Sequence, residues 1–409
     1  MPDNLEKFFV SVCFWGMYFY GGIGASIDET APVYTLYYLI FQAVFVLAYR
    51  VRYIFPNVFR NSIIRIQEQS SFLFEGKLSS NFILIIYLLS VFINLLYPEV
   101  KIENLLSPPP PNALDALLKE SGISVEEEDI LAKLLFYFTL LLTPLYYWSL
   151  YVYRQKPILL LILILIPLYF IYCANEYIGR GLILIGLFVW FFGVYLHNKK
   201  WRKPLIVGTI IGLPTVLIFF IYYSLQRIGY EVDFSFQTGA IGDLFLMEIN
   251  YPIHFETIVQ SGKHVDLGGF FLWLATLPFP KFFFGGLDVP AVNYELAEIV
   301  LNLPKEDQNF FVILTGFVSE SLYIFGSYFF WLEAIIIAVT VKTIFNLLRP
   351  IKSSSILILF VAIQFGFMYA RAGIASVMPV FANGFLAVYL YIFIKWVVNR
   401  SRKQKVQLT

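Results

Sequence analysis

Residues 157–174 read PILLLILILIPLYFIYCA, and this stretch decides the class of fold. It carries no charged side chain, and at about 1.5 Å per helical residue it nearly matches a hydrocarbon layer roughly 30 Å thick. Lipid offers no water to backbone N–H and C=O groups, so such a run has to bond within itself as a helix. Pro167 is compatible with that, because neighbouring helices can satisfy the carbonyl a proline frees.

Working outward, similar runs lie at about 8–27, 33–53, 80–97, 131–152, 177–197, 204–225, 327–347, 354–371 and 375–397, two of them containing Pro144 and Pro214. The reading is an all-α, polytopic membrane protein of about ten spans. Composition agrees: 59% of residues are hydrophobic and 14% charged, where a soluble domain carries nearer a quarter. Many tyrosines and tryptophans fall near the ends of the runs, as interfacial belts require. Cys13 and Cys173 sit inside apolar runs, where a small hydrophobe is expected rather than a disulfide or a metal ligand. The N-terminus lacks a basic leader and a small-residue cleavage site, so the first span is expected to remain.

Lysine and arginine set the orientation, because short cytoplasmic loops retain them. With both ends in the cytoplasm, the inner side holds 20 of the 29 bases against four acids, Asp3, Glu6, Glu68 and Glu75. Two outer segments are long. Residues 98–130 contain Pro108 to Pro111, a stiff polyproline II run, a possible short helix over 112–119, and the acidic Glu126 to Asp129, and read as a solvated loop. Residues 226–326 form the larger outer loop, yet Gly268 to Leu277 and Phe310 to Gly316 are too apolar for open water and too short to span. Interfacial or re-entrant helices suit them. No internal repeat is legible, which disfavours inverted-repeat transporters.

Bases are scarce on the outer side, so those kept near lipid call for a reason. Arg180, a few residues into the sixth span, Arg227 at the end of the seventh, Lys281 in the large loop and Arg371 at the exit of the ninth all flank one region. Separately, each can snorkel to headgroups. Gathered together, they would make a cationic pocket for a polyanion such as a diphosphate, neutralised by guanidinium forks without a metal. No His-Glu-x-x-His or similar metal spacing occurs. Candidate acids and bases are His254 and Glu256, two apart on what reads as a loop, and Glu320 just before the eighth span; Glu320 alternatively orients a pocket arginine.

The order of these features resembles the Wzy-type polymerases of O-antigen and other oligosaccharide repeat units. Gly179-Arg180-Gly181 opens a middle span and precedes a large outer loop, in which Leu277-Pro278-Phe279-Pro280-Lys281 and the aromatics after it look like the family's Pro-Arg turn. Glu320-Ser321-Leu322-Tyr323-Ile324-Phe325-Gly326 looks like its acidic-x-x-Tyr-x-Phe-Gly element, and Tyr369-Ala370-Arg371-Ala372-Gly373 resembles its late arginine. The likeness covers about 175 to 385. It departs at Lys281, where arginine is usual, and at Ala382, which stands where the family has the glycine of Arg-x10-Gly.

The resemblance implies a GT-C-like, metal-independent membrane glycosyltransferase with no cofactor and no nucleic-acid partner, working in the bacterial inner membrane. It would join undecaprenyl-diphosphate-linked glycans on the outer face, in the lipid bilayer, alongside a chain-length regulator and a flippase. Arg180, Arg227, Lys281 and Arg371 would hold the diphosphate, with Glu320, His254 or Glu256 serving the acceptor. Alternatives are an O-antigen ligase of the same fold and a transporter or flippase of lipid-linked oligosaccharides; the second needs polar residues lining a path through the bilayer.

Overall fold

A computed structural model describes residues 2–23, 32–51, 77–96, 103–108, 130–175, 178–227, 251–277, 292–304, 307, 310, 313–348, 352–378 and 382. Among them every regular element is helical. In chain order these are α1 (Pro2–Met17, continued by a π-helical turn over Tyr18–Gly22), α2 (Pro32–Arg50), α3 (Lys77–Leu96) and α4 (Ile130–Ser149). There follow α5 (Pro157–Asn175), α6 (Arg180–His197) and α7 (Arg202–Arg227). The loop helices are α8 (Pro252–Ser261), α9 (Leu267–Thr276) and α10 (Val292–Leu301). The chain then forms α11 (Gly316–Phe329), α12 (Trp331–Leu348) and α13 (Ser355–Met378).

The protein is a helical membrane protein. By length and apolar composition α2, α5 and α13 can each cross a membrane, and the count rises to 5 if the sharply bent pairs α6/α7 and α11/α12 each make one crossing. These are fewer than ten, although helices occupy nine of the ten runs read from the sequence. The tenth run, at 375–397, lies outside the described residues beyond Met378, Ala382 apart.

One expectation is corrected at its boundary. The sequence separates a ninth span ending at 371 from a tenth beginning at 375, but α13 runs through to Met378. What reads as a span end is a change of geometry inside one segment: a π-helical turn at Phe365–Tyr369 and a left-handed Gly373 at φ 67°.

α13 is the axis of the bundle, with every residue from Ile356 to Gly366 buried. α6 lies antiparallel beside it. Ser355 Oγ meets His197 Nε2 at 2.8 Å at one end, and at the other a Cβ on Gly181 would lie 3.2 Å from the Met368 sulfur. α1 crosses at the π turn, where a Cβ on Gly16 would fall 1.7 Å from the Gly366 carbonyl oxygen, so glycine lets the two backbones touch. α12 packs along α2, where the Lys342 ammonium donates to the carbonyls of Tyr49 and Val51. α3 packs along α4 through stacked Tyr87 and Tyr146 and an Asn94–Thr139 hydrogen bond of 2.9 Å. Cys13 and Cys173 are both buried thiols.

The long segment between α7 and α11 holds helices where it is described. Asp266 starts α9 by accepting from the backbone N–H of Gly268 and Gly269, so the apolar Gly268 to Leu277 stretch forms a short helix as expected. The Phe310 to Gly316 stretch does not: Phe310 and residues 313–315 are irregular, and helix begins only at Gly316, whose φ of 77° ordinary residues avoid. A helical turn at Glu103–Leu106 is what the structure describes of the first long loop, and residues 112–119 lie outside the described ones.

Candidate functional site

The break in α13 gathers the polar chemistry of the core. Gly373 turns the chain left-handed, which interrupts the ladder and leaves the next amides without carbonyl partners. Glu320, reaching across from α11, replaces them: its Oε2 accepts from Ile374 N at 2.6 Å and its Oε1 from Ala375 N at 2.9 Å. The Glu320 carboxyl group thus caps the restarted helix, satisfying its first two free amides. Only glycine fits there, since a Cβ on Gly373 would fall 1.2 Å from Oε2.

Two residues before the break, Arg371 Nε donates to the Tyr251 hydroxyl at 3.0 Å. Tyr251 is buried immediately ahead of α8, and its ring lies against Gly316, the first residue of α11, so close that a Cβ on Gly316 would meet Tyr251 Cβ at 3.1 Å. Tyr251 also meets Tyr20 of the π turn after α1 edge to face. Thus α8, α11 and α13 converge on one arginine. Tyr251 and Gly316 are legible only once the fold is known, because neither stands in a charged or motif-like pattern.

Arg180 opens α6, preceded by an extended Gly179 that supplies no side-chain cap. Expected a few residues inside a span, it is instead the first helical residue. The contact of Gly181 with Met368 and Phe367, combined with the antiparallel register, puts the Arg180 backbone within about one turn of Arg371 along the axis. The two bases therefore belong to the same end of adjoining helices.

The remaining candidates stand as follows. Arg227 ends α7, a helix that turns away from α6 by 114° and exposes Val207, Ile210 and Ile211. Lys281 lies outside the described residues. His254 and Glu256 sit not on a loop but in α8, where positions two apart point to different faces, so they do not form a pair. Glu256 is exposed. His254 is half-buried one turn after Tyr251, and burial lowers its pKa, keeping the imidazole neutral and able to accept a proton. Glu320 is 1% exposed, and each of its oxygens accepts from a backbone amide.

A second buried carboxyl adjoins the first. Glu333, in the first turn of α12, accepts from the Tyr369 hydroxyl at 3.1 Å through Oε1, while Oε2 has no hydrogen-bond partner among the described residues. Sequence reasoning missed it because Glu333 reads as the edge of a span. Nearby, Tyr323 donates to Glu295 at 2.6 Å and Asn293 of α10 donates to Ser376 at 3.2 Å, tying the loop helix to α11 and α13. No group of three or more His, Cys, Asp or Glu side chains gathers as a metal site among the described residues. What the arrangement offers chemically is a fixed guanidinium and a neutral imidazole, the equipment for holding an oxyanion and taking a proton.

Comparison of the chain with protein-family models, with curated proteins and with solved structures finds no match.

Proposed function

We propose that the chain is a GT-C-like membrane glycosyltransferase that polymerises undecaprenyl-diphosphate-linked oligosaccharide repeat units. On this reading it has ten spans in the bacterial inner membrane, both ends in the cytoplasm, and works on the outer face with a flippase upstream and a chain-length regulator beside it. The observation that carries the proposal is the fixing of Arg371 by Tyr251 at the break in α13, with the Arg180 turn at the same end of the neighbouring helix. An arginine costs about 2.5–3.5 kcal/mol at mid-membrane on insertion scales, and one held in a defined pose within a bundle is placed for an anion.

In the proposed reaction an acceptor-sugar hydroxyl attacks the anomeric carbon of the lipid-linked chain. The bond from that carbon to the diphosphate breaks, and the lipid diphosphate leaves with the electron pair. Arg371 and Arg180 stabilise the charge that develops on it, an effect worth about 2.7–4 kcal/mol for a single well-placed donor. His254 takes the acceptor proton. Arg227 and Lys281 remain proposed contributors through the outer loop. The sequence resemblance at Gly179-Arg180-Gly181, Glu320 to Gly326 and Tyr369 to Gly373 supports the same reading, since two of those three segments meet at the α13 break.

Replacing Arg371 or Arg180 by Ala is expected to leave the protein in the membrane and abolish chain extension in a host that lacks its own polymerase. The product to look for is lipid A-core capped with a single repeat unit. Long-chain ladders from both variants overturn the proposal. Loss of every repeat unit, the single one included, points to ligation or flipping instead.

A further inference from the structure

Glu320 reads from the sequence either as an acid or base or as the orienter of a pocket arginine, and its surroundings favour the second. Both of its oxygens are spent on the amides of Ile374 and Ala375, and the residue is buried. Those amides need a partner only because Gly373 is left-handed, and the left-handed turn persists against the natural tendency of an apolar segment to run on as one helix. Arg371 lies two residues before that turn and is held by the Tyr251 hydroxyl. The direction in which its side chain leaves α13 therefore depends on where the helix stops.

We infer that Glu320 is a positioning residue that sets Arg371 through the main chain. Its carboxylate fixes the break at Gly373, and the break fixes the arginine against Tyr251 in the pose that receives a diphosphate. Without the carboxylate, Gly373 relaxes to right-handed geometry, the helix runs through, and Arg371 rotates away from Tyr251. The inference rests on the glycosyltransferase reading only in naming the anion; the main-chain latch stands separately.

The test uses the full-length protein purified in detergent, with inorganic diphosphate as the titrated probe and hydrogen exchange of a peptide spanning 374–375 as the second readout. Glu320→Ala is expected to weaken diphosphate binding about tenfold or more, as misplacement of a contact group does, and to deprotect those amides whether or not diphosphate is present. Glu320→Gln keeps one carbonyl acceptor and is expected to recover part of both. Gly373→Ala, whose new methyl collides with the carboxylate, is expected to regain thermal stability when Glu320→Ala is added to it. Unchanged binding and protection in Glu320→Ala, or strictly additive losses in the Gly373/Glu320 pair, overturn the latch. Diphosphate binding that is absent in the wild type, or indifferent to Arg371→Ala, overturns the diphosphate reading, while the exchange and double-variant results still decide the latch.

Discussion

α5 and α13 are both interrupted membrane helices, and they are repaired in opposite ways. In α5, Pro167 has no N–H, so the carbonyl of Leu163 one turn earlier loses its donor, and the Tyr146 hydroxyl of α4 supplies one. In α13, Gly373 frees N–H groups instead, and a carboxylate supplies the acceptor. A missing donor is restored by a neutral hydroxyl at little electrostatic cost. Missing acceptors at a helix restart are met here by a carboxyl group, and the Arg371–Tyr251 and Tyr369–Glu333 hydrogen bonds lie on the same segment of α13. Only 28% of the α5 span is buried, against 83% of α13, so the first break is a local repair near lipid and the second organises the centre of the bundle.

The largest effect expected from disturbing this contrast is Gly373→Ala. The new methyl would overlap the Glu320 carboxylate and the residue would keep a left-handed φ, together costing on the order of 3 kcal/mol or more. Thermal unfolding in detergent checks it. A glycine against a flexible side chain makes the control: at Gly186 in α6 the nearest atom to an added Cβ is a methyl of Ile164 at 2.9 Å, and Gly186→Ala is expected to cost much less. Equal losses at the two positions would show that α13 is no more constrained at its break than the lipid-side helices are along their length.

Next comes Tyr369→Phe, which removes the donor to Glu333 Oε1 and leaves both oxygens of a fully buried carboxyl without a partner. The expected loss is about 1–3 kcal/mol. Adding Glu333→Leu should return much of it, since an apolar side chain has nothing to satisfy. A Tyr369→Phe variant as stable as the wild type would mean that α13 gains nothing from its polar neighbours.

Smaller still is Tyr146→Phe, expected to cost about 1 kcal/mol by orphaning the Leu163 carbonyl. The sharper measurement is its dependence on the proline. Pro167→Ala restores an N–H to that carbonyl, so Tyr146→Phe is expected to lose most of its effect in the Pro167→Ala background. Identical penalties with and without the proline would sever the hydroxyl from the break it is assigned to repair.

The same two breaks show how far a sequence can be read. Apolar runs without charge announce helices directly, and α5 follows its run to within a residue. Pro167 is equally visible, because its missing N–H is a property of the residue itself. Gly373 is different: a glycine near the end of an apolar run reads as a helix terminus, and only the packing of α11 against α13 shows that the helix resumes. Arg180 and Arg371 are legible as bases kept where bases are scarce. Tyr251 is not, since a buried tyrosine declares its hydrogen-bond partner only through tertiary contact. The two readings of Glu320, an acid or base and the orienter of an arginine, have the same origin, for a glutamate bonded to backbone amides and one bonded to substrate look alike in one dimension. His254 and Glu256 read as neighbours on a loop, whereas Pro252 at the first turn of α8 marks where a helix begins.

The smallest effect separates the regions by pH. The repair of α5 involves no group that titrates near neutrality, whereas His254, one turn from the tyrosine that fixes Arg371, is half-buried and has its pKa lowered from 6.5 by the loss of solvent. The unfolded chain therefore binds a proton at this site more readily than the folded protein does. Stability attributable to His254 is fully present above the unfolded value of about 6.5 and is lost as pH falls below it, until the folded form also protonates. His254→Gln is expected to flatten the decline in melting temperature between about pH 6.5 and 5, while Tyr146→Phe shifts the whole curve down without altering its slope. A His254→Gln profile parallel to that of the wild type would place the imidazole in solvent, and with it would go the assignment of a neutral base one turn from Tyr251.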